Sequence, residues 1–340
     1  MQMALLKRWS RPCFQQTRRQ IHALLIVALL VTSSRGDAFP TPKLADVDPA
    51  GISGVLIVYG GGKLSDAALD RFLELAGGDK ARLVVIPTAT EKADDVELDS
   101  YATTWRNRGF RTVDVLHTCD RTVADSDAFT APLKSATAVW FVGGQQSRLS
   151  KAYIGTRVEE ELYALLERGG AIGGNSAGAT IQGDYLVRGN PLGNQDMMAE
   201  GYERGFGFLP GCAIDQHFTQ RGRHRDMEAL MRAFPQLLGI GIDESTALVV
   251  QQTTAHVIGE KDVYFFDASP SEEPDRPDFT KVAPSKQRKS TANGMAGTTT
   301  SSPKATPWTA SSRACRKRLA NSSRWQPAAG PVSRSSSITR

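Results

Sequence analysis

The chain of 340 residues has no acidic residue between positions 1 and 35 and none between 281 and 340. Those two ends hold 18 of the 41 Lys and Arg residues, which leaves 23 basic residues against all 36 acidic ones in the body, a balance of −13. The formal net charge of +5 therefore belongs to the ends. An acidic body excludes the reading of a basic nucleic-acid-binding domain, so no nucleic-acid partner is expected. Cysteine is scarce as well. Cys13, Cys119, Cys212 and Cys315 are widely separated, with no C-x-x-C and no Cys/His ligand spacing. A zinc site is excluded on that pattern, and no metal or cofactor is expected. Cys119 and Cys212 read as two ordinary buried thiols, although an oxidising compartment leaves a pairing between them open.

Long apolar runs are also rare. The one near the N-terminus, Ile21 to Val31, follows basic residues through Arg19 and precedes Thr32-Ser33-Ser34. It is short for a bilayer span, which predicts a cleaved signal peptide and export region over 1–36 and no stable membrane span after cleavage. The body is then expected outside the cytoplasm, secreted or periplasmic. A short linker over 37–51 leads into the folded part. From residue 284 to 340 Ser, Thr, Ala, Pro and Arg dominate and apolar periodicity disappears. Such a segment buries too little apolar surface to offset its ordering entropy, so it is expected to be disordered, and the abrupt change of character suggests out-of-frame translation.

What remains, residues 52–270, has the rhythm of an α/β domain. Val55–Tyr59, Leu83–Pro87, Thr112–Leu116 and Val139–Val142 are apolar runs of strand length. Helical spacing lies between them at 66–75 and 101–107, and follows at 158–168. The alternation predicts a mostly parallel sheet with helices on both faces. After Gly239-Ile240-Gly241-Ile242 come three short β-type runs, 247–250, 255–258 and 263–266, which predict an antiparallel strand-rich edge. Reactive groups gather at the carboxyl ends of parallel strands, where loops at Gly60, Thr88, Gly143 and Ser176 would sit. Gly60-Gly61-Gly62 lacks G-x-G-x-x-G spacing and reads as a tight turn or as backbone close to an active centre.

Gly174-Asn175-Ser176-Ala177-Gly178 is a G-x-S-x-G sequence between an apolar-glycine run and a segment able to begin a helix. A serine on a sharp strand-to-helix turn exposes its Oγ, and small neighbours are needed because a Cβ would strike the adjacent strand or helix. Such a nucleophile needs a base, and the base needs an orienting acid. Apart from His22 in the export segment, the histidines are His117 after a strand, His256 in a β-type run, and His217 and His224 in the polar stretch 215–225. Asp243-Glu244 stands where a strand should end and offers a carboxylate.

Four motifs in order, Phe141-Val142-Gly143-Gly144-Gln145-Gln146 with Arg148-Leu149, the Ser176 pentapeptide with Ala179, Asp215-Gln216-His217-Phe218 with Arg221 and Arg223, and Gly241 to Leu248 around Asp243-Glu244, resemble the cyanophycinase family. This serine peptidase family also contains aspartyl dipeptidase, and its fold looks like that of the class I glutamine amidotransferases. The likeness covers about residues 52–267. It implies Ser176 as nucleophile, His217 as general base and Glu244 as the acid, with Gln146, Asp215, Gln216, Arg221 and Arg223 lining the substrate site. It also implies a cyanophycin or Asp-rich peptide substrate, with cleavage of a poly-aspartate backbone to β-Asp-Arg dipeptides, and leaves a homodimer open. Backbone N–H groups of Ala177 and Gly144, both on strand-end turns, are the candidates for the oxyanion. Arg221 and Arg223 suit bidentate binding of substrate carboxylates; the plainer reading is a solvated helix face pairing with Asp226 and Glu228.

The chain departs from the family pattern at two places. Gln145 stands where the family usually has an acid, and Asp226 stands where cyanobacterial members tend to carry a further arginine. These departures bear on recognition of the arginine-bearing polymer rather than on peptide hydrolysis, and a related exopeptidase acting on Asp-containing peptides is the alternative. The order Ser176, His217, Glu244 disagrees with the Ser, acid, His order of α/β-hydrolase lipases. A non-catalytic binding module on the same fold is the remaining alternative.

Overall fold

The computed structural model of the chain describes residues 51–267 and, as backbone, strand 278–282. The expected signal segment, nearly all of the linker, residues 268–270 of the expected domain and the expected disordered tail lie outside the described residues.

The first half alternates as the apolar pattern predicts: β1 (Ile52–Tyr59), α1 (Asp66–Leu75), β2 (Arg82–Ile86), α2 (Thr103–Arg108), β3 (Thr112–Val115), α3 (Arg121–Ala124), α4 (Asp127–Ser135), β4 (Ala138–Phe141), α5 (Gln146–Tyr153), α6 (Arg157–Glu167), β5 (Ala171–Asn175) and α7 (Ala177–Thr180). Strands β1, β5, β4, β2 and β3 lie side by side in that order, all parallel. Their runs are apolar throughout because both faces are covered. Alternate side chains go to opposite faces. Leu56, Val58, Val84, Ile86, Val139 and Phe141 pack with Leu133, Leu149, Val158, Leu162 and Leu165 from α4, α5 and α6. Val55, Ile57, Tyr59, Leu83, Val85 and Trp140 pack with Ala68, Leu69 and Phe72 of α1 and Trp105 of α2. This is the helix-covered α/β architecture of the class I glutamine amidotransferase type.

The C-terminal strands divide in a way the periodicity does not separate. β9 (Thr246–Gln252) and β10 (Thr254–Gly259) form a hairpin that extends the large sheet antiparallel to β1. The strands β6 (Gly183–Tyr185), β7 (Leu209–Gln216), β8 (Leu238–Ile242), β11 (Val263–Asp267) and β12 (Asp278–Val282) form a second sheet, with β7 parallel to β8 and β11 antiparallel to it. Helix α8 (His224–Ala233) buries Met227, Leu230 and Met231, one helical face, with Phe218, Tyr264 and Phe266. The second sheet matters for function because it brings the ends of β7 and β8 against the ends of β1 and β5.

Candidate active site

Ser176 follows β5, in the middle of the parallel sheet, and has φ 54° and ψ −116°. A non-glycine residue there is strained, and such strain persists only where the surroundings fix it. The surroundings are glycines. A Cβ on Gly174 would come 2.2 Å from the Gly178 carbonyl oxygen, and one on Gly178 would come 2.3 Å from that of Phe141. The bend therefore closes only with small residues on both sides of the serine. The Ser176 N–H donates to the Tyr59 carbonyl at 3.0 Å, which fixes the turn to the end of β1.

His217 follows β7 and also has positive φ, at 49°. Its N–H donates to the Gly60 carbonyl at 2.7 Å. Gly61, at φ +107°, lies so close beneath the imidazole that a Cβ would stand 2.3 Å from its Cε1. Gly60-Gly61-Gly62 is thus a floor under the histidine, matching the expectation of backbone close to an active centre. Glu244 follows β8. Its N–H donates to Gln220 Oε1 at 2.9 Å, and the next residue, Ser245, donates its N–H to Gly61 O at 3.0 Å. Asp243, the neighbouring carboxylate, is buried and accepts from the N–H and Oγ1 of Thr219, at 2.9 and 2.7 Å.

The three side chains meet. Ser176 Oγ is 2.9 Å from His217 Nε2, and His217 Nδ1 is 2.6 Å from Glu244 Oε1. An ionised carboxylate accepts only, so Nδ1 carries the proton and Nε2 is the bare acceptor facing the serine. Burial holds the His217 pKa below the ordinary histidine value, against the hydrogen bond to Glu244, which raises it; the charges of Arg221 and Arg223 push it down further. A neutral imidazole at neutral pH, aimed at a hydroxyl on a strained turn, is what proton removal from that hydroxyl requires. Three of the five positive-φ non-glycine residues among the described residues, Ser176, His217 and Ser245, are in this group or next to it.

The family model described as peptidase family S51 matches residues 56–258. The chain belongs to that family. It is 31% identical over 202 residues to the cyanophycinase of Geminocystis herdmanii, covering 58% of this chain and 74% of that protein. It is also 31% identical over 226 residues to the cyanophycinase of Thermosynechococcus vestitus, covering 64% and 69%. Among solved structures, a peptidase from an acI-B1 Actinobacterium aligns with a TM-score of 0.50 and 22% identity over 70% of this chain and 97% of that one, a likeness of fold. Membership makes the chain a serine-type peptidase, a hydrolase.

The other predicted site residues of this S51 peptidase fall into two groups. Arg221 is exposed, and Gln216, although buried, has its Oε1 3.3 Å from Ser176 Oγ. Gln146, Asp215 and Arg223 are buried and held by protein partners, beneath the site rather than open to solvent. Gln146 Nε2 donates to the carbonyls of Val187 and Arg188, at 2.9 and 3.0 Å. Asp215 accepts from Arg223 Nη1 at 2.5 Å and from Arg188 Nε at 3.2 Å. Burial favours the neutral forms, raising the Asp215 pKa against the pull of Arg223 and Arg188, and lowering that of Arg223 to about 10. Arg188, which the sequence reading does not single out, joins Asp215 to Asp226, so Arg223 and Asp226 do not form the surface pair considered from sequence. Nothing local in the sequence marks Arg188, because its partners lie 27 and 38 residues away.

Ala177 opens α7 directly after the serine. On the neighbouring turn it is Gly143 whose missing Cβ faces Ser176, at 3.1 Å from the serine Cβ, whereas Gly144 packs against the Ala89 carbonyl. Gln145, where the chain departs from the family pattern, holds the N-cap position of α5 without a side-chain cap bond. His117 lies in a separate cluster, 2.9 Å from Asp94 and 3.0 Å from Thr88, and His224 packs on the rings of Phe218 and Tyr264. Asp94, His117 and Cys119 bring donor atoms of metal-ligand type within 4.8 Å of one another, but Arg148 donates to Asp94 and Cys119 there and already supplies the cation. Cys119 is disulfide-bonded and Cys212 is a buried thiol, so the two do not pair with each other, and Cys119 is not the plain thiol expected from sequence.

Proposed function

We propose that the chain is an exported serine peptidase that hydrolyses the poly-aspartate backbone of cyanophycin to β-Asp-Arg dipeptides, with Ser176, His217 and Glu244 as its triad. The observation that carries this reading is the continuous relay from Ser176 Oγ through the imidazole to Glu244, at 2.9 and 2.6 Å. His217 Nε2 takes the hydroxyl proton as Oγ attacks the peptide carbonyl carbon, and Glu244 stabilises the imidazolium. The backbone N–H of Ala177 and the Gly143–Gly144 turn receive the oxyanion. The imidazolium then returns the proton to the departing amine, and a water repeats the sequence on the acyl-enzyme. Arg221, exposed beside His217, takes a substrate carboxylate. The cyanophycinases among the relatives support the polymer as substrate.

A second reading, an exopeptidase for ordinary Asp-containing peptides, draws on Asp226. That carboxylate is half-exposed and bonded to Arg188, at a position where the resembling family tends to present an arginine. Incubating the protein with cyanophycin and, separately, with short Asp-peptides discriminates the two. Release of β-Asp-Arg from the polymer is expected; turnover of the peptides alone favours the second reading. Export is tested by N-terminal sequencing of the protein recovered outside the cytoplasm, where a start beyond the apolar run 21–31 is expected and a retained Met1 contradicts it.

A further inference from the structure

We propose that Arg188 is a positioning residue that locks the two sheets together at the site and so fixes the separation of Ser176 from His217; the proposal rests on the triad reading above. Ser176 follows a strand of the seven-stranded sheet, whereas His217 and Glu244 follow strands of the second sheet. The distance between nucleophile and base therefore depends on how the sheets sit against one another. Errors of about 1 Å in such a geometry cost on the order of 100-fold in rate.

The segment Val187–Arg188, just beyond β6 of the second sheet, is bonded to both sides. On the first side, Gln146, which opens α5 after the Gly143–Gly144 turn, donates to the carbonyls of both residues. On the other side the Arg188 side chain, buried, reaches Asp215 with Nε, at 3.3 and 3.2 Å from the two carboxylate oxygens. Asp215 Oδ1 in turn accepts the Gln216 N–H at 3.0 Å, and Arg223 bonds both Asp215 and the Gln216 carbonyl. Gln216 and His217 are the residues that face the serine. The remaining guanidinium nitrogens are used too: Nη1 donates to the carbonyls of Asn194 and Gln195, and Nη2 to Asp226 at 2.6 Å. Two guanidiniums and two carboxylates balance in charge, which a buried cluster of this kind requires. The φ of 55° at Arg188 shows the segment held out of its relaxed conformation by these bonds. A lysine keeps the charge but not the fork that reaches Asp215, Asp226 and two carbonyls together.

The test compares wild type, Arg188→Lys, Arg188→Met, Gln146→Ala and the Gln146→Ala/Arg188→Lys double variant. Peptide hydrolysis gives kcat and KM, the rate of Ser176 modification by diisopropyl fluorophosphate reports the Ser–His pair without a peptide, and thermal unfolding reports stability. Arg188→Lys is expected to lower kcat by about tenfold or more with KM within about threefold, and to slow phosphonylation in parallel. The double variant should be no slower than the worse single one, because both changes cut the same tie. Arg188→Met is expected to be worse still. If it does not fold, Arg188→Lys and Gln146→Ala carry the test. A lowered melting temperature with kcat and phosphonylation within about twofold of wild type, or multiplicative effects in the double variant, would overturn the proposal. Wild-type protein inert to both peptide and fluorophosphate would overturn the triad reading, and this proposal with it.

Discussion

At the residue scale, His217 is the group whose environment can be tested most sharply. Its folded pKa lies below the ordinary value of about 6.5 because burial disfavours the imidazolium. The acidic limb of kcat/KM against pH is therefore expected below pH ~6.5. The bond to Glu244 raises that pKa, so Glu244→Gln should shift the limb to lower pH, and it should reduce kcat by about 100-fold or more through loss of the orienting acceptor. A limb moving to higher pH in that variant contradicts the assignment. Gly61→Ala should lower kcat by about tenfold or more while leaving Ser176 in place, since the added methyl would occupy the space of the imidazole ring.

Ser176 was legible on its G-x-S-x-G turn, whereas His217 and Glu244 were singled out only by the resemblance of their motifs to the family, since the local residues left the other histidines open. The roles of Gln146, Asp215 and Arg223 were legible only as proximity. Those residues are buried under the site, and the pairing of Arg188 with Asp215 and Asp226 there is a product of tertiary packing that leaves no local spacing to read.

At the scale of elements, the parallel strands and the helices at 66–75 and 157–167 could be read because their apolar residues follow the period of the element that forms. β7 could not. It begins Leu209-Pro210-Gly211, in which Pro210 and Gly211 argue against a strand, and only from Cys212 onward is it buried. Helix α8 was hidden by charge, since its buried face is only Met227, Leu230 and Met231. The uncapped start of α5 gives a prediction at this scale. Gln145 has extended backbone at φ −107°, ψ 117° and makes no cap bond, so Gln145→Asp should stabilise the protein by about 1 kcal/mol, seen as a rise of about 2–4 °C in the melting temperature. In β5 the reverse holds. A Cβ on Gly173 would stand 2.3 Å from the Trp140 ring, so Gly173→Ala should destabilise by about 1–3 kcal/mol in denaturant unfolding.

At the scale of the whole molecule, the acidic body explains why overall charge misleads, and the two joined sheets explain why Ser176 and His217 meet although they follow strands of different sheets. Two histidines, the part-buried His117 and the buried His217, have pKa values lowered by desolvation. The unfolded chain then binds more protons than the native one just below the ordinary histidine pKa, so their contribution to stability is complete above pH ~6.5 and is lost as pH falls below it. Urea midpoints should drop on going from pH 7.5 toward 5.5, and His117→Asn should shrink that pH-dependent part of the change. The division into two sheets was not legible, because β8 to β11 have similar short apolar patterns and are sorted only by the partners they find.

The most direct test of the central claim is intact-mass analysis of wild type and Ser176→Ala after diisopropyl fluorophosphate, with hydrolysis of cyanophycin followed on the same samples. One adduct mapped to Ser176, absent from the variant together with its turnover, is the predicted result. An adduct on another residue, or cyanophycin turnover that survives in Ser176→Ala, would contradict the account.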